Sequence, residues 1–394
     1  MNNKLIKVHI RITSQSLSIH NGIESLVAPG WGVMPTIRGL NWDLSTINSF
    51  YNNTDDYYVS PHLDINFFEK MCNFRCIYCC NNYGKSDVVN LKGRVSNLTE
   101  SEIMSAIEQF ASHNGKTILL CSDTEPLRPS GMFLNLARHA KANNIRITTY
   151  SNMSYITPKY ADELRKNDVS IIAKLESFDP TTNNRILGVS GKTIYKYNTY
   201  AGERIPQQLN NLLSAGYKDS GLLALSTMIT PLNTNDLHPI TSFAYDEIGA
   251  AHFRKFLYQW GKADQNSELL FLSDIKRRLI YNAILEQDQH YGFQYPSLNE
   301  NESQSSIDSR IFLNNFFSNR RLPFRLFGHH AGGHYFSFLS SIKPEFGFDK
   351  GVRIGFRNSD NEIDMLRYFR TISSLIHQAH NRNLTRQNIT KGND

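Results

Sequence analysis

Apolar positions in the first two thirds of the chain repeat with two alternating periods. Leu63-Asp64-Ile65-Asn66-Phe67 alternates apolar with polar, the two-residue period of a strand with one face buried. Thr99-Glu100-Ser101-Glu102 then opens a stretch in which Ile103, Ala106, Ile107 and Phe110 fall at helical spacing. A hydroxyl cap stands before them and Gly115 supplies a stop. The exchange continues with a strand over residues 117–121, a helix MFLNLARHAKANN, a strand over 145–150 and a helix PKYADELRKND. A strand over 169–177, a helix QQLNNLLSAGY, a strand LLALSTMITPLN, a helix HPITSFAYDEIGA and a strand AAHFRKFLYQWG complete the series. Six strands alternating with helices predict parallel βα units and therefore an α/β fold.

The flanks lack this rhythm. Residues 1–60 contain Ala28-Pro29-Gly30-Trp31-Gly32, a turn-rich segment expected either to pack on the bottom of the sheet or to close its top. Residues 298–309, LNENESQSSIDS, read as a flexible polar connection. The glycine-rich stretch from Phe327 to Tyr335 carries His329, His330 and His334. Three histidines there suit a second metal, a general acid on a substrate lid, or a plain surface turn. IDMLRYFRTISSLIHQAH predicts an amphipathic helix packed on the core, and the residues after it a frayed tail.

Composition narrows the class. The chain has 394 residues, 40% of them apolar and 20% charged, as in ordinary globular proteins. No run of about 18 apolar residues occurs, so no membrane span is expected. The N-terminus lacks an apolar signal core, which gives the expectation of a cytoplasmic protein. The formal charge of +6 is spread along the chain rather than gathered in one tract. It is compatible with an anionic substrate or RNA, but nucleic acid is not the expected partner.

Cysteine placement changes the picture most. Four of the five cysteines, Cys72, Cys76, Cys79 and Cys80, crowd into CNFRCIYCC, and the fifth, Cys121, lies far along. Crowding of this kind in a chain with so few cysteines points to metal or cluster ligation rather than disulfides. Structural zinc sites need four ligands, usually as two pairs, and no second pair follows. Three thiolates on a cubane cluster leave one iron open, whereas ferredoxin-type clusters fill all four positions. A zinc site and incidental clustering remain the alternatives at this point.

The spacing C-x3-C-x2-C, written here CNFRCIYC, resembles the signature of radical S-adenosylmethionine (SAM) enzymes. That resemblance implies a [4Fe–4S] cluster on Cys72, Cys76 and Cys79 whose open iron chelates SAM, with Tyr78 near the adenine. Further stretches follow in matching order. Ser122-Asp123-Thr124-Glu125-Pro126 is similar to the family's Gly-Gly-Glu-Pro motif, with Asp123-Thr124 in place of the glycines, and implies Glu125 on the SAM amino group. Ser151-Asn152 resembles the position that approaches the ribose. LESFDPTTNNRILG is similar to the fourth strand and its exit loop, where Ser177 would contact SAM. Asn233, which ends the fifth strand, is a further candidate for binding SAM, and Tyr258 stands near the end of the sixth. The implied fold is a partial (β/α)6 TIM-like barrel over residues 61–262, between an N-terminal extension (1–60) and a C-terminal extension (263–394). The extension from 263 onward has no cysteine, so it holds no cysteine-ligated auxiliary cluster.

The resemblance implies an enzyme that cleaves SAM reductively and abstracts hydrogen from a small molecule or peptide in a biosynthetic pathway. An electron donor such as flavodoxin or ferredoxin would serve it. Epimerisation, rearrangement, elimination and carbon–carbon bond formation all remain open as outcomes. Modification of RNA is the alternative within enzymes, and a non-catalytic iron–sulfur or zinc protein the alternative outside them. Cys121, at the end of the second strand, is a candidate hydrogen-atom donor, as cysteines are in radical epimerases. A small buried residue is its plainer reading. Cys80 adjoins the last ligand without matching a ligand position.

Overall fold

The computed structural model describes residues 16–20, 22–28, 32–38, 62–67, 72–79, 99–122, 125–128, 131–189, 196–256, 265–293, 325–327 and 335–336. Strands β1 (Ser16–His20), β2 (Ile23–Ala28) and β3 (Gly32–Pro35) form an antiparallel sheet. Ala28 pairs with Gly32, so the turn-rich segment seen in the sequence is the connection between two paired strands. Ile23 and Ile37 are buried in the main core. Arg38 N–H donates to the Gly221 carbonyl at 2.9 Å, and its own carbonyl accepts from the Ser170 hydroxyl. Residues 36–38 therefore meet the main sheet at the N-terminal ends of its strands, the end away from the candidate site.

The main sheet follows the alternation read from the sequence. β4 (His62–Phe67), α1 (Glu100–Ser112), β5 (Thr117–Ser122), α2 (Met132–Ala142), β6 (Arg146–Ser151), α3 (Pro158–Lys166) and β7 (Ser170–Lys174) come in order. After α4 (Pro180–Ile186) an antiparallel hairpin, β8 (Tyr197–Tyr200) and β9 (Glu203–Pro206), precedes α5 (Gln207–Leu212). Then follow β10 (Leu223–Ile229), α6 (Leu237–Ser242), β11 (Ala251–Phe256), α7 (Ser267–Leu270) and α8 (Asp274–His290). The strand order is β11-β10-β7-β6-β5-β4, all parallel. Beyond β4 the sheet gains β12 (Arg325–Phe327), parallel to β4, and β13 (Tyr335–Phe336), antiparallel to β12. Sequence reading missed β12, β13 and the β8–β9 hairpin, because two- to four-residue strands carry too few alternations to register.

Local chemistry explains the element ends. Thr99 and Glu102 form a reciprocal capping box: the Thr99 hydroxyl accepts from Glu102 N–H at 3.3 Å, and the Glu102 carboxylate from Thr99 N–H at 2.8 Å. Gly115 is required because a Cβ there would stand 2.4 Å from the Phe110 ring. β7 stops three residues before the sequence suggested. Glu176 N–H leaves the ladder and donates to the Asn183 side chain at 3.0 Å.

One face of the sheet packs on the helices. His252 of β11 sits fully buried there, 2.8 Å from the hydroxyls of Thr227 (β10) and Thr241 (α6). Burial holds its imidazole well below the usual range, hence neutral. The opposite face is concave. Tyr150 is in register with Ile172, Ile172 with Ala224 and Ala224 with Ala251. Lys255, four residues beyond Ala251, nevertheless donates to the Tyr150 hydroxyl at 3.0 Å and lies over its ring at 4.6 Å. Contact across three strand intervals requires the sheet to curl and its strands to tilt, the geometry of a partial TIM-like barrel. Among the described residues β11 pairs only with β10, so the curl is not closed.

Candidate functional site

The cysteine loop, described from Cys72 to Cys79, leaves the C-terminal end of β4, the end where open α/β architectures bind ligands. Backbone bonds hold one flank of it. Arg75 N–H donates to the Leu187 carbonyl at 3.2 Å and Ile77 N–H to the Ile186 carbonyl at 3.0 Å, both at the end of α4. Gly188, at φ 63, lies directly against the loop: a Cβ there would fall 1.9 Å from the Arg75 carbonyl oxygen. Phe74, Leu187, Cys72, Cys76 and Tyr197 form one apolar cluster; Tyr78, Ile186, Leu270 and Cys76 form another. From α7 side, Asn266 donates to the Ile77 carbonyl at 3.0 Å.

Side chains hold the other flank. Glu125, buried just past β5, accepts from the Ser151 hydroxyl at 2.6 Å, Leu127 N–H at 3.2 Å and Asn152 N–H at 2.7 Å. It thereby fixes the end of β6. Asn152 in turn donates to the Asn73 side chain at 3.1 Å and approaches the Cys72 sulfur at 3.8 Å. Asn73 donates to the Ser154 hydroxyl at 2.8 Å. Burial pushes the Glu125 carboxyl up to about 7, against the three hydrogen bonds that favour its charged form. A group poised near neutrality accepts a cation readily.

A second carboxylate, Glu176, lies inside the LESFDPTTNNRILG stretch, where sequence reading gave a role only to its neighbour Ser177. It is fully buried, accepts a short hydrogen bond from the Tyr78 hydroxyl, and accepts from Met228 N–H at 2.8 Å. Lys174 donates to the same Tyr78 oxygen at 2.8 Å, its ammonium 4.7 Å from the ring centre. Burial raises the Glu176 carboxyl while the Lys174 ammonium lowers it. Tyr78, Glu176 and Lys174 thus tie the cysteine loop to the exit of β7. The sequence signal for Lys174 and Glu176 was two charges inside an otherwise apolar strand, whereas Tyr78 was marked by its place before Cys79.

The remaining expected residues separate. Ser177 is fully buried; its hydroxyl donates to Asp236 at 2.8 Å and accepts from Asp179 N–H at 3.0 Å. Asn233, also buried, donates to the carbonyls of Glu176 at 2.8 Å and Met228 at 3.0 Å. Its side-chain oxygen accepts from Thr230 N–H at 2.9 Å and from the Thr230 hydroxyl at 3.0 Å. The structure spends both polar ends on the exits of β7 and β10. Cys121 lies on β5 in register with Asn66; its side chain is outside the described residues. Cys80, Asp123, Thr124, Tyr258, His329, His330, His334 and the expected helix after residue 362 also lie outside them.

Three partly buried thiols share eight residues of loop. Burial pushes the Cys76 thiol up to about 12 even though Lys174 draws it down, and Cys79 and Cys72 each raise it further. The Cys72 thiol is raised as well, first by burial and then by Glu125 and Cys79, against Phe74 N–H and the Arg75 guanidinium. Three thiolates so arranged repel one another in a poorly solvated place, and cationic iron is the kind of partner that stabilises them together. Among the described residues no three His, Cys, Asp or Glu converge as they would around a single metal ion. The donor set fits a multi-iron cluster held by thiolates.

Comparison with known proteins agrees with this chemistry. A family model described as the radical SAM superfamily matches residues 68–243. No curated protein matches the chain. Among solved structures, Streptococcus suis SuiB bound to S-adenosylmethionine is similar at 11% identity over 62% of this chain and 52% of that one, TM-score 0.45. SuiB bound to precursor peptide SuiA aligns at 10% identity over 71% and 70%, TM-score 0.44. anSMEcpe with bound AdoMet and Cp18Cys peptide aligns at 14% identity over 50% of each chain, TM-score 0.34. The chain spans about half the length of the first two SuiB structures it matches. The cysteine loop, the glutamate beyond β5 and strands β5, β6, β7 and β10 all lie inside the matched segment, and residues 68–243 belong to the radical SAM superfamily.

Proposed function

We propose that this protein is a radical SAM enzyme acting on a small molecule or a peptide. The observation that carries the reading is the pairing of the three-thiol loop with Glu125 and Asn152, which reach it through Asn73 and the Cys72 sulfur. Cys72, Cys76 and Cys79 would hold a [4Fe–4S] cluster. When bound, that cluster and SAM would supply one-electron, radical chemistry for removing hydrogen from substrate.

The chain's own residues do the rest. Glu125 would receive the SAM amino group, whose N–H donors would favour its charged form against burial. Asn152 presents its amide beside the loop for the ribose. Tyr78, pinned by Glu176 and Lys174, offers a fixed aromatic face for adenine. Ser177 and Asn233 hold the exits of β7 and β10 in shape, setting the wall against which SAM lies. The concave face, with Tyr150 and Lys255 joined across it, excludes water and holds substrate near the radical.

The test uses protein reconstituted anaerobically with iron and sulfide, given SAM and dithionite. 5′-Deoxyadenosine formation by wild type and not by Cys76→Ala is the expected result. A colourless protein that retains tightly bound zinc would overturn the reading.

A further inference from the structure

Reductive cleavage of SAM requires one electron at the cluster, and the place where a donor protein delivers it can be sought on the surface beside the cysteine loop. α7 lies against that loop: Leu270 packs with Tyr78 and Cys76, and Asn266 donates to the Ile77 carbonyl. α8 begins four residues later, capped by the Ser273 hydroxyl on Lys276 N–H. At no more than about 3.6 Å per residue, Ile275 lies within roughly 18 Å of Leu270.

α8 has two unlike faces. Tyr281, Ile284 and Leu285 face inward, packed with Ile229 at the end of β10 and Leu237 of α6. Arg254 of β11 meets buried Asp288 at 2.5 Å and fixes the far end of the helix. On the other face Ile275 and Leu279, one turn apart, are 74% and 64% exposed. They are the large apolar side chains that stand open to solvent among the described residues. Lys276 and Arg278, both exposed, border them. On the cysteine loop itself Arg75 is exposed, its guanidinium held by the carbonyls of Cys72 at 2.7 Å and Phe74 at 3.0 Å. Among the described side chains, Glu268 on α7 and Glu286 two turns beyond Leu279 are exposed as well.

We propose that the first two turns of α8, with Ile275 and Leu279 at the centre and Lys276 and Arg278 around them, form the docking surface for an acidic one-electron carrier protein. The proposal rests on the radical SAM reading above. A small apolar centre suits a contact that must release after each electron, since such encounters bury little area. A basic rim steers an acidic partner and orients it. A second copy of this chain would bring the same positive charges against themselves, so it is the poorer occupant. In the transfer one electron leaves the carrier, which is oxidised by one unit, and enters the iron–sulfur centre held by Cys72, Cys76 and Cys79. No proton or group passes between the proteins.

The test compares the reconstituted full-length enzyme with Lys276→Glu/Arg278→Glu and with Ile275→Ser/Leu279→Ser, using an acidic flavodoxin as the probe. Binding of labelled oxidised flavodoxin is followed by anisotropy, and reduction by flavodoxin hydroquinone by stopped-flow bleaching of the cluster absorbance. For the charge-reversal variant, binding and reduction rate are each expected to fall about tenfold at low salt, with the difference vanishing at high salt. The serine variant should weaken binding at every salt concentration. Reduction by dithionite should be the same in all three, which also shows that the variants fold and load iron. Equal flavodoxin rates in all three proteins would overturn the proposal. So would a concentration-dependent dimer of wild type that either variant abolishes. Failure of the radical SAM reading would show separately, as absence of 5′-deoxyadenosine with dithionite.

Discussion

The two flanks of the cysteine loop are built from different materials. Toward α4 the support is backbone: two peptide hydrogen bonds and a glycine with no room for a side chain. Toward β6 it is side chain: Glu125 on the strand end, Asn152 onto the loop, Asn73 back to Ser154. A backbone support has nothing to titrate and little freedom to move, so it fixes position. A side-chain support responds to charge, so it can answer to a ligand. The loop is thus anchored on one flank and made responsive on the other, with Tyr78 and Glu176 between them.

That contrast predicts where the molecule breaks first. Gly188→Ala should have the largest effect on the site. An added Cβ meets a backbone oxygen at 1.9 Å, which a rotamer change cannot relieve. The left-handed backbone there adds about 1–2 kcal/mol of its own for a residue with Cβ. Iron content after reconstitution should collapse while circular dichroism shows the sheet and helices retained. Normal iron loading in this variant would show that the α4 flank does not anchor the loop.

Glu176→Ala comes next. It leaves the buried Tyr78 hydroxyl without its acceptor and the half-buried Lys174 ammonium without the carboxylate's charge nearby, a loss on the order of 3 kcal/mol, to be read from the urea midpoint. Tyr78→Phe removes one hydroxyl and should cost less, about 1–3 kcal/mol, because Glu176 keeps Met228 N–H. If the two variants were equally destabilised, the hydroxyl rather than the carboxylate would be the centre of that group.

The smallest effect is the one that singles out the responsive flank. The Glu125 carboxyl is raised from 4.5 to about 7 in the folded protein. Below the unfolded value both states hold the proton and stability does not vary with pH. Between 4.5 and 7 the folded state keeps a proton that the unfolded state has lost, so stability falls as pH rises. The full loss, reached above about 7, is at most about 3 kcal/mol. Glu125→Gln should remove this slope, and the difference between the two proteins in urea titrations from pH 5 to 8 measures it. Parallel slopes would mean that Glu125 is ionised throughout and that the β6 flank is as fixed as the other.

What the sequence determined by itself was whatever depends on near neighbours. The six-strand alternation is legible because a strand and a helix each impose a short period on apolar residues, visible in Leu63–Phe67 and in Ile103 to Phe110. The Thr99–Glu102 cap needs only three residues of separation. The cysteine triplet is likewise a spacing, and Glu125 and Asn152 stand directly after strands whose ends the pattern marks. Only tertiary structure decided that Gly188 presses on Arg75, that Lys255 crosses the curled face to Tyr150, and that Glu176 meets Tyr78 across 98 residues of sequence. It also turned Ser177 and Asn233 inward to hold strand exits, a role fixed by Asp236 and by the carbonyls of Glu176 and Met228. The physical reason is the same each time. Periodicity reports which face of an element is buried, whereas a carboxylate's or a glycine's partner depends on how the strands twist and pack, and that is settled only when the whole sheet has formed.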